Sequence, residues 1–564
     1  MDAPTLHLAL DEVTAQHRAA AVDFPAEGAS LTLGRLRKRS RRIAARLREL
    51  GIQPGDRVGT LSANEPDFLL LLFALSRLGA SVCPLPVHSP RASGTAKLLN
   101  VLDDAGIKEV VVSGRLERMR PFLEEALPGR RVLPAAEALV VAARTAAVTG
   151  AEVAAEQEIV LQYTSGSTSD PKGVRLTHAN VLACLRAIRD GIRLTPADRN
   201  FSWLPLFHDM GLFGTLTALL TGVPTTIWRP SAFVRDPAGW LRTFADGGYT
   251  VTPMPGFAFD YLASAVPAAD AASYDLSRWR VAVNGAEPIA VDSLVAFFRH
   301  FAPARFDPRA MLTVYGLAEA TLAATFPPVR RSPRIDWVDR AALAERCAAV
   351  PVARTGLGAR GVVSVGGPVR GMRVRIAAPD GSGPGGSTAA GERSVGEVQL
   401  RGPSVTAGYV DDSGGLAQPF TADGWLRTGD LGYLADGELH ITGRAKEMLI
   451  LRGANYYPDD VESAVRADPA VRRRRCVAFV HQEGDREFMV LVAETGSPAA
   501  EHAALATRLR ALVRSALGLD DLRVEFVAPD SLPRTTSGKL QRPAVKQEFM
   551  QRHEHDSLTK GDCK

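Results

Sequence analysis

Cysteine is scarce in this chain, with five in 564 residues: Cys83, Cys184, Cys347, Cys476 and Cys563. Odd in number, scattered and without metal-ligand spacing, they exclude a disulfide framework or a zinc site and fit reduced thiols in a cytoplasmic protein. Long hydrophobic runs are also missing. The longest, Phe68 to Leu75, is stopped by Ser76-Arg77; it is too short to cross a bilayer and reads as a buried helix. Met1-Asp-Ala-Pro-Thr5 has no basic region and no apolar stretch behind it, so no secretory signal is expected and the cytoplasm is the default location. No charge of one sign dominates either. A net +5 is small for this length, and the pI near 9.0 follows from an Arg-rich composition, so nucleic acid is not implied. Internal repeats and low-complexity tracts are absent. What is present, 46% hydrophobic and 23% charged residues, is the balance of a soluble globular protein. The length calls for two or more domains.

The most informative stretch is Tyr163-Thr-Ser-Gly-Ser-Thr-Ser-Asp-Pro-Lys-Gly173. Hydroxyls at Thr164, Ser165, Ser167 and Thr168 and the backbone N–H groups around Gly166 can converge on one anion, and Lys172 adds a mobile positive charge. Ile159–Leu161 reads as a strand before the loop and Val174–Leu176 as a strand after it. An amphipathic helix with Val181, Leu182, Leu185, Ile188 and Ile192 on one face comes only later. A Walker A loop needs Gly-Lys-Ser/Thr leading straight into a helix; here Lys172 is followed by Gly173 and a strand.

From Leu31 to about Ala320, strand-like runs such as Arg57–Leu61, Ala80–Leu85, Glu109–Val112 and Arg280–Val283 alternate with helical patterns, which predicts an α/β fold with parallel sheets covered by helices. The segment 330–361 lacks that regularity and reads as an insertion, with a short helix candidate at Arg340–Cys347. Short strands and turns follow, including a hairpin turned by Asp436-Gly437. Another change comes near Arg444. Met448–Leu451 reads as a strand and Pro458 as the first residue of a helix with acids in its first turn. The expected division is therefore a large unit over 1–443, a small one over 444–550 and a disordered polar tail over 551–564.

Further motifs follow the loop in order: Trp203-Leu-Pro-Leu-Phe-His-Asp-Met-Gly-Leu212, Asn284-Gly-Ala-Glu-Pro288, Tyr315-Gly-Leu-Ala-Glu319, Trp425-Leu-Arg-Thr-Gly-Asp-Leu431, Thr442-Gly-Arg-Ala-Lys446 and Leu532-Pro-Arg-Thr-Thr-Ser-Gly-Lys539. Each is weak alone. Together, over almost the whole chain, they resemble the adenylate-forming superfamily of acyl-CoA synthetases, luciferases and peptide-synthetase adenylation domains. The resemblance implies a large N-terminal unit of two αβαβα-type layers plus a small β-barrel, with a small mobile α+β C-terminal domain. ATP and Mg²⁺ are the implied cofactors, with the phosphates at Thr164, Ser165, Gly166, Ser167, Thr168 and Lys172. Glu319 matches the residue that helps hold Mg²⁺. Tyr315, with the neighbouring Gly316, Leu317 and Ala318, and the backbone of Gly285, Ala286 and Glu287 match the adenine-binding positions. Asp430 matches the acid that accepts both ribose hydroxyls, Arg444 a second ribose or phosphate contact, and Lys446 the hinge. Lys539 matches the catalytic lysine that bridges the attacking carboxylate and the α-phosphate.

Within the superfamily, the 203–214, 279–288 and 315–322 stretches and Leu451-Arg-Gly-Ala-Asn-Tyr-Tyr-Pro458 resemble fatty acyl-AMP ligases, whose characteristic insertion falls where 330–361 lies. That branch passes its acyl group to the phosphopantetheine thiol of an acyl carrier protein; a CoA ligase is the rival reading, and a non-catalytic acyl or nucleotide binder a more distant one. His208 and Met210 match the carboxylate end of the acyl site. Met254-Pro-Gly-Phe-Ala-Phe259 matches a segment lining the acyl tunnel, where Gly256 would leave room and Phe257 and Phe259 are equally readable as wall or core. The run Arg472–Arg475 reads as a solvated charged face, or less readily as a contact for an acidic carrier protein.

Overall fold

The computed structural model describes residues 2–86, 92–114, 116–140, 152–164, 171–356, 358–378, 390–410, 416–417, 419–451, 454–466, 468–471, 475–483, 486–535 and 539–561. Two large sheets form the centre of the N-terminal unit. One has the order Leu416–Ala417, Tyr409–Val410, Gly173–Thr177, Glu158–Tyr163, Ser81–Leu85, Arg57–Leu61, Glu109–Val112, Arg131–Pro134. Its last five strands run parallel, whereas Gly173–Thr177 pairs antiparallel with Glu158–Tyr163. The other has the order Met311–Thr313, Val281–Gly285, Val251–Pro255, Asn200–Ser202, Thr225–Ile227, Ala21–Phe24, Ala29–Thr32 and is parallel up to its final antiparallel pair. The expectation of parallel sheets is therefore corrected to mixed ones. A short connection can only join antiparallel neighbours, which is what the loop ending at Gly173 does.

The apolar run noted in the sequence is the helix Pro66–Leu78, started by Pro66 and closed by Gly79 at φ 78°. Phe68 to Leu75 are all buried, each of the large side chains contributing about 1.5–3 kcal/mol by leaving water. Among the described residues no helix is long and apolar enough to cross a membrane. The helix after the phosphate-type loop, His178–Gly191, begins with a reciprocal cap between Thr177 and Asn180. Cys83, Cys184, Cys347 and Cys476 are free thiols. Burial pushes that of Cys184 up to about 12, which keeps it protonated and inert.

Beyond Thr313 the sheets become small and mostly antiparallel, the pair of Arg486–Glu494 with Leu522–Val527 being parallel. Arg373–Ala377, Gly396–Arg401, Leu426–Ala435 and Glu438–Arg444 form one of them, and its hairpin turns at Asp436 (φ 51°) and Gly437 (φ 72°) as the sequence indicates. Segment 330–361, expected to be irregular, is ordered. Ile335–Asp339 pairs antiparallel with Ala359–Val363, and between them the helix Arg340–Glu345 is capped by the Asp339 carboxylate, which accepts from Ala342 N at 2.6 Å. Two five-residue strands in an Arg/Ala-rich context leave little periodicity to read. The C-terminal part has a three-stranded sheet, Cys476–Glu483, Arg486–Glu494 and Leu522–Val527, with helices Pro458–Arg466, His502–Leu517 and Arg542–Gly561. The last helix runs on through the tail that was expected to be disordered. Val545 and Phe549 pack on the sheet, and His553 makes a 2.7 Å hydrogen bond with Glu525, so the helix is anchored past Gln551.

The N-terminal helix Leu6–His17 is attached by polar contacts inside the core. His178 Nδ1 accepts from Leu6 N at 3.2 Å, and the His7 ring lies 3.0 Å from the Ser76 hydroxyl. Burial lowers both imidazoles, His7 to about 4 and His178 to about 3. Asp11 is opposed by its own burial, yet hydrogen bonds from Arg77 and Arg41 hold it down at about 2. Between pH 6.5 and about 4 the unfolded chain takes up protons at these histidines and the folded one does not, so stability falls as the pH falls. The thermal midpoint should drop over that window. His178→Gln, which keeps an acceptor for Leu6 N, should flatten the dependence by close to one proton, about 1.4 kcal/mol per pH unit; an unaltered slope in that variant would refute the account.

Candidate active site

The phosphate-type loop is tied at its feet. Thr164 N donates to Lys172 O at 3.0 Å, and Lys172 N donates to the Thr164 hydroxyl at 3.3 Å. Ser165, Gly166, Ser167 and Thr168 lie outside the described residues. The Lys172 ammonium rests 4.9 Å from the centre of the Tyr409 ring. On the strand before the loop, Gln162 Nε2 donates to Phe207 O at 3.0 Å, which links the loop to the segment carrying His208. Asn64 shapes that segment from the other side, donating to Leu204 O (3.0 Å) and Trp228 O (2.8 Å) and accepting from Leu206 N (2.9 Å). His208 then stands at the N-cap of the helix Asp209–Leu220, with Met210 buried in its first turn.

Glu319, the residue implied for the cation, is half-buried and accepts a 2.6 Å hydrogen bond from the Tyr409 hydroxyl. Burial raises its pKa, with the hydrogen bond and the charge of Arg444 working against the rise. Among the described residues no group of three His, Cys, Asp or Glu side chains could form a metal cage. A single hard carboxylate oxygen donor at Glu319 fits Mg²⁺, which commonly takes one or two carboxylates plus substrate phosphates.

Tyr315 and Asp430, far apart in sequence, are in contact. The buried Tyr315 hydroxyl donates to Asp430 Oδ2 at 2.7 Å, and Arg444 Nε donates to Asp430 Oδ1 at 2.9 Å. Asp430 N is anchored on the Thr428 hydroxyl at 3.1 Å. Each oxygen expected to meet a ribose hydroxyl thus already accepts from a protein group. Burial pushes the Tyr315 phenol well above its ordinary pKa, and the adjacent Asp430 charge adds to this. Lys446 sits exposed in the short 3₁₀ turn Ala445–Glu447 immediately after Arg444.

Close backbone approach explains the glycines. A Cβ on Gly316 would lie 1.7 Å from Leu322 O, and one on Gly285 would lie 2.5 Å from Val314 Cγ2. Leu317 and the buried Ala318 lead directly to Glu319. Ala286 takes φ 68°, turning the chain so that the Glu287 carboxylate accepts from Phe257 N at the start of the helix Gly256–Ala265. The room expected above Gly256 is consequently taken: Glu287 Oε1 is 3.1 Å from where its Cβ would be. Phe257 meets Trp203 edge-on with ring centres 6.2 Å apart, whereas Phe259 is buried against Trp279 and Phe297. Of the two, only Phe257 is placed to line a site.

Lys539 is half-buried on a tight loop, its backbone N donating to the Thr535 hydroxyl at 3.2 Å and its carbonyl accepting from Thr535 N at 2.8 Å. Burial raises the Glu287 pKa, and the charge of Lys539 opposes that rise. The fold therefore brings two cationic groups, Lys172 and Arg444, to two carboxylates, Glu319 and Asp430, Arg444 by direct contact and Lys172 through the Tyr409 ring. Such a set can neutralise a polyphosphate and an attacking carboxylate together. Asn64, Gln162, Thr428 and Tyr409 belong to the arrangement and were not singled out in the sequence. Thr428 lies inside the motif Trp425–Leu431, whereas Asn64, Gln162 and Tyr409 make backbone or neighbour contacts that leave no motif.

Residues 11–410 match the model of the AMP-binding enzyme family. The long-chain-fatty-acid–AMP ligase FadD32 of Mycolicibacterium smegmatis is 32% identical, the match covering 92% of this chain and 89% of that protein. The medium-chain-fatty-acid–[acyl-carrier-protein] ligase JamA of Moorena producens is 34% identical over 69% of this chain and 67% of its own length. Other relatives bear acyl-CoA synthetase or CoA ligase names. A solved structure from a study of fatty acyl-adenylate ligases of E. coli and L. pneumophila superposes with a TM-score of 0.89 at 32% identity, covering 98% of this chain and 99% of that one. The chain thus belongs to the AMP-binding enzyme family and is an ATP-dependent, AMP-forming ligase of the fatty acyl-AMP ligase and acyl-CoA synthetase group.

Proposed function

We propose that this ligase converts a fatty or related carboxylic acid to its acyl-adenylate and then delivers the acyl group to the phosphopantetheine thiol of a separate acyl carrier protein. A carboxylate oxygen attacks the α-phosphorus, the bond to pyrophosphate breaks, and the acyl–AMP anhydride stays bound. Lys539 sits between the two anions as they meet. Lys172 and Arg444 offset phosphate charge, and Tyr315 with Asp430 holds the nucleoside end. His208 stands beside the reacting carboxylate. Mg²⁺ at Glu319 would supply Lewis-acid neutralisation of the phosphates. In the second half-reaction the carrier's sulfur bonds to the acyl carbon and AMP leaves. No protein nucleophile is needed, since positioning and electrostatics supply the catalysis.

The observation that carries the choice of acceptor is the docking of the inserted segment on the C-terminal part. Arg360, in the strand that partners Ile335–Asp339, pairs with Asp460 at 2.8 Å, both side chains being 9% exposed. It also donates to Thr442 O at 3.0 Å and lies 4.3 Å from the centre of the Tyr457 ring. Tyr457 is packed among Val338, Leu343, Ala349 and Val362, and Asn455 Nδ2 donates to Ala344 O at 3.2 Å. A buried ion pair is costly to pull apart because each charge would be left unpaired. The second pose, in which the thiol approaches, then requires a partner that contributes its own docking surface. A carrier protein has one; free CoA does not.

Three outcomes test this reading. Offered ATP, Mg²⁺ and a panel of labelled acids, the enzyme should form acyl-adenylate and acyl-carrier with little acyl-CoA; efficient acyl-CoA formation would make it a CoA ligase. Breaking the buried pair from one side, Asp460→Lys, sets two like charges against each other and should raise acyl-CoA yield several-fold while leaving adenylation nearly unchanged; an unaltered yield would remove the insertion argument. Lys539→Ala should cost about 10²–10³ in the rate of adenylation yet spare ATP binding. Its assigned role fails if pyrophosphate exchange proceeds at the wild-type rate.

A further inference from the structure

Tyr409 touches both the residue at the cation end of the site and the lysine of the phosphate loop. It is 9% exposed. It lies on a two-residue strand, Tyr409–Val410, that pairs antiparallel with the strand following Lys172, in the register Tyr409↔Val174. Its hydroxyl donates to Glu319 Oε1 at 2.6 Å, and its ring carries the Lys172 ammonium 4.9 Å from its centre.

The approach to Tyr409 is stitched to both neighbours. Thr406 N donates to Glu319 O at 2.8 Å, while the Thr406 hydroxyl donates to Arg175 O and Gly408 N donates back to that hydroxyl at 3.1 Å. On the other side, Thr321 adopts φ 67° and ψ −57°, and Leu322 N donates across it to Ala320 O at 2.8 Å. This is a γ-turn of the rare, strained kind, in a β-branched residue. The Thr321 hydroxyl donates to Ser404 O at 2.8 Å, so the same 404–409 segment holds the strained turn in place. Backbone strain of this kind persists only where surrounding contacts over-determine it.

We infer that Tyr409 is a positioning residue for Mg²⁺–ATP. Its hydroxyl fixes one oxygen of Glu319 and leaves the other for the cation, while its ring holds Lys172 until the phosphates arrive. The inference rests on the proposed role of Glu319 toward Mg²⁺, and the test separates the two.

Binding of a fluorescent ATP analogue is measured from metal-free buffer to millimolar Mg²⁺ in wild type, Tyr409→Phe, Glu319→Gln and the double variant. This needs no knowledge of the acid or the acceptor. Tyr409→Phe keeps the ring and loses the hydroxyl. It should need about tenfold more Mg²⁺ for the same affinity, the scale of a hydrogen bond to a charged group, with metal-free binding unchanged. The double variant should be no worse than Glu319→Gln, because Tyr409 acts through Glu319. A wild-type Mg²⁺ requirement in Tyr409→Phe, or effects that multiply in the double variant, would overturn the inference. Should Glu319→Gln itself keep the wild-type requirement, the role of Glu319 falls and that of Tyr409 with it. If the Phe variant does not fold, Tyr409→Leu takes its place, with the same shift expected and an unshifted requirement equally fatal.

Discussion

One carboxylate ties two sheets of the molecule together. Asp430 receives Tyr315 from the strand that follows the large mixed sheet, and Arg444 from the neighbouring strand of its own small antiparallel sheet. The register Asp430↔Arg444 across that hairpin sets the cation beside the acid. A buried charge with two strong partners is stable only if both sheets are correctly placed. The contact of Tyr315, Asp430 and Arg444 therefore depends on how these elements meet as much as on the residues themselves.

A second constraint is the crowding of backbones around Gly285 and Gly316. Gly285 and Gly316 lie where a side chain would collide with Val314 or with Leu322 O, and the strained turn at Thr321 follows directly. These contacts compress the Tyr315–Leu322 segment into a compact corner that aims Glu319 at Tyr409. The corner is pinned from the outside by 404–409, a stretch belonging to the neighbouring sheet. The position of Glu319 is thus decided by segments some ninety positions apart in the chain, as the Tyr409–Glu319 bond shows.

The insertion between the two parts is the third element. Its strands are unremarkable alone, but they place Arg360 under Tyr457 and against Asp460. A salt bridge shielded from water on both sides gives the link between N- and C-terminal parts a discrete, costly-to-break form. The alternative, a surface loop with no partner, would leave the C-terminal part free to turn. The packing of Tyr457 in the apolar cluster around Val338 makes the link both polar and hydrophobic.

Legibility in the sequence followed locality. The strand–loop–strand of Glu158–Thr177, the helix opened by Pro458 and the Asp436-Gly437 turn depend on neighbours within a few residues, so composition and spacing sufficed to find them. The motifs around Tyr315, Glu319, Asp430, Arg444 and Lys539 were legible through the family resemblance that their order carries. Within segment 330–361 the short helix candidate falls on Arg340–Glu345, but its strand pair, like the helix through 551–561, was missed, since their stability comes from contacts with distant strands, which periodicity does not record. The same reason hid Asn64, Gln162 and Tyr409, each a common residue whose contacts are set by what folds against it. The sequence by itself determined which chemical groups the chain carries and in what order. Tertiary structure alone decided which of them touch, because burial, register and close backbone approach are properties of elements packed together and not of any one stretch.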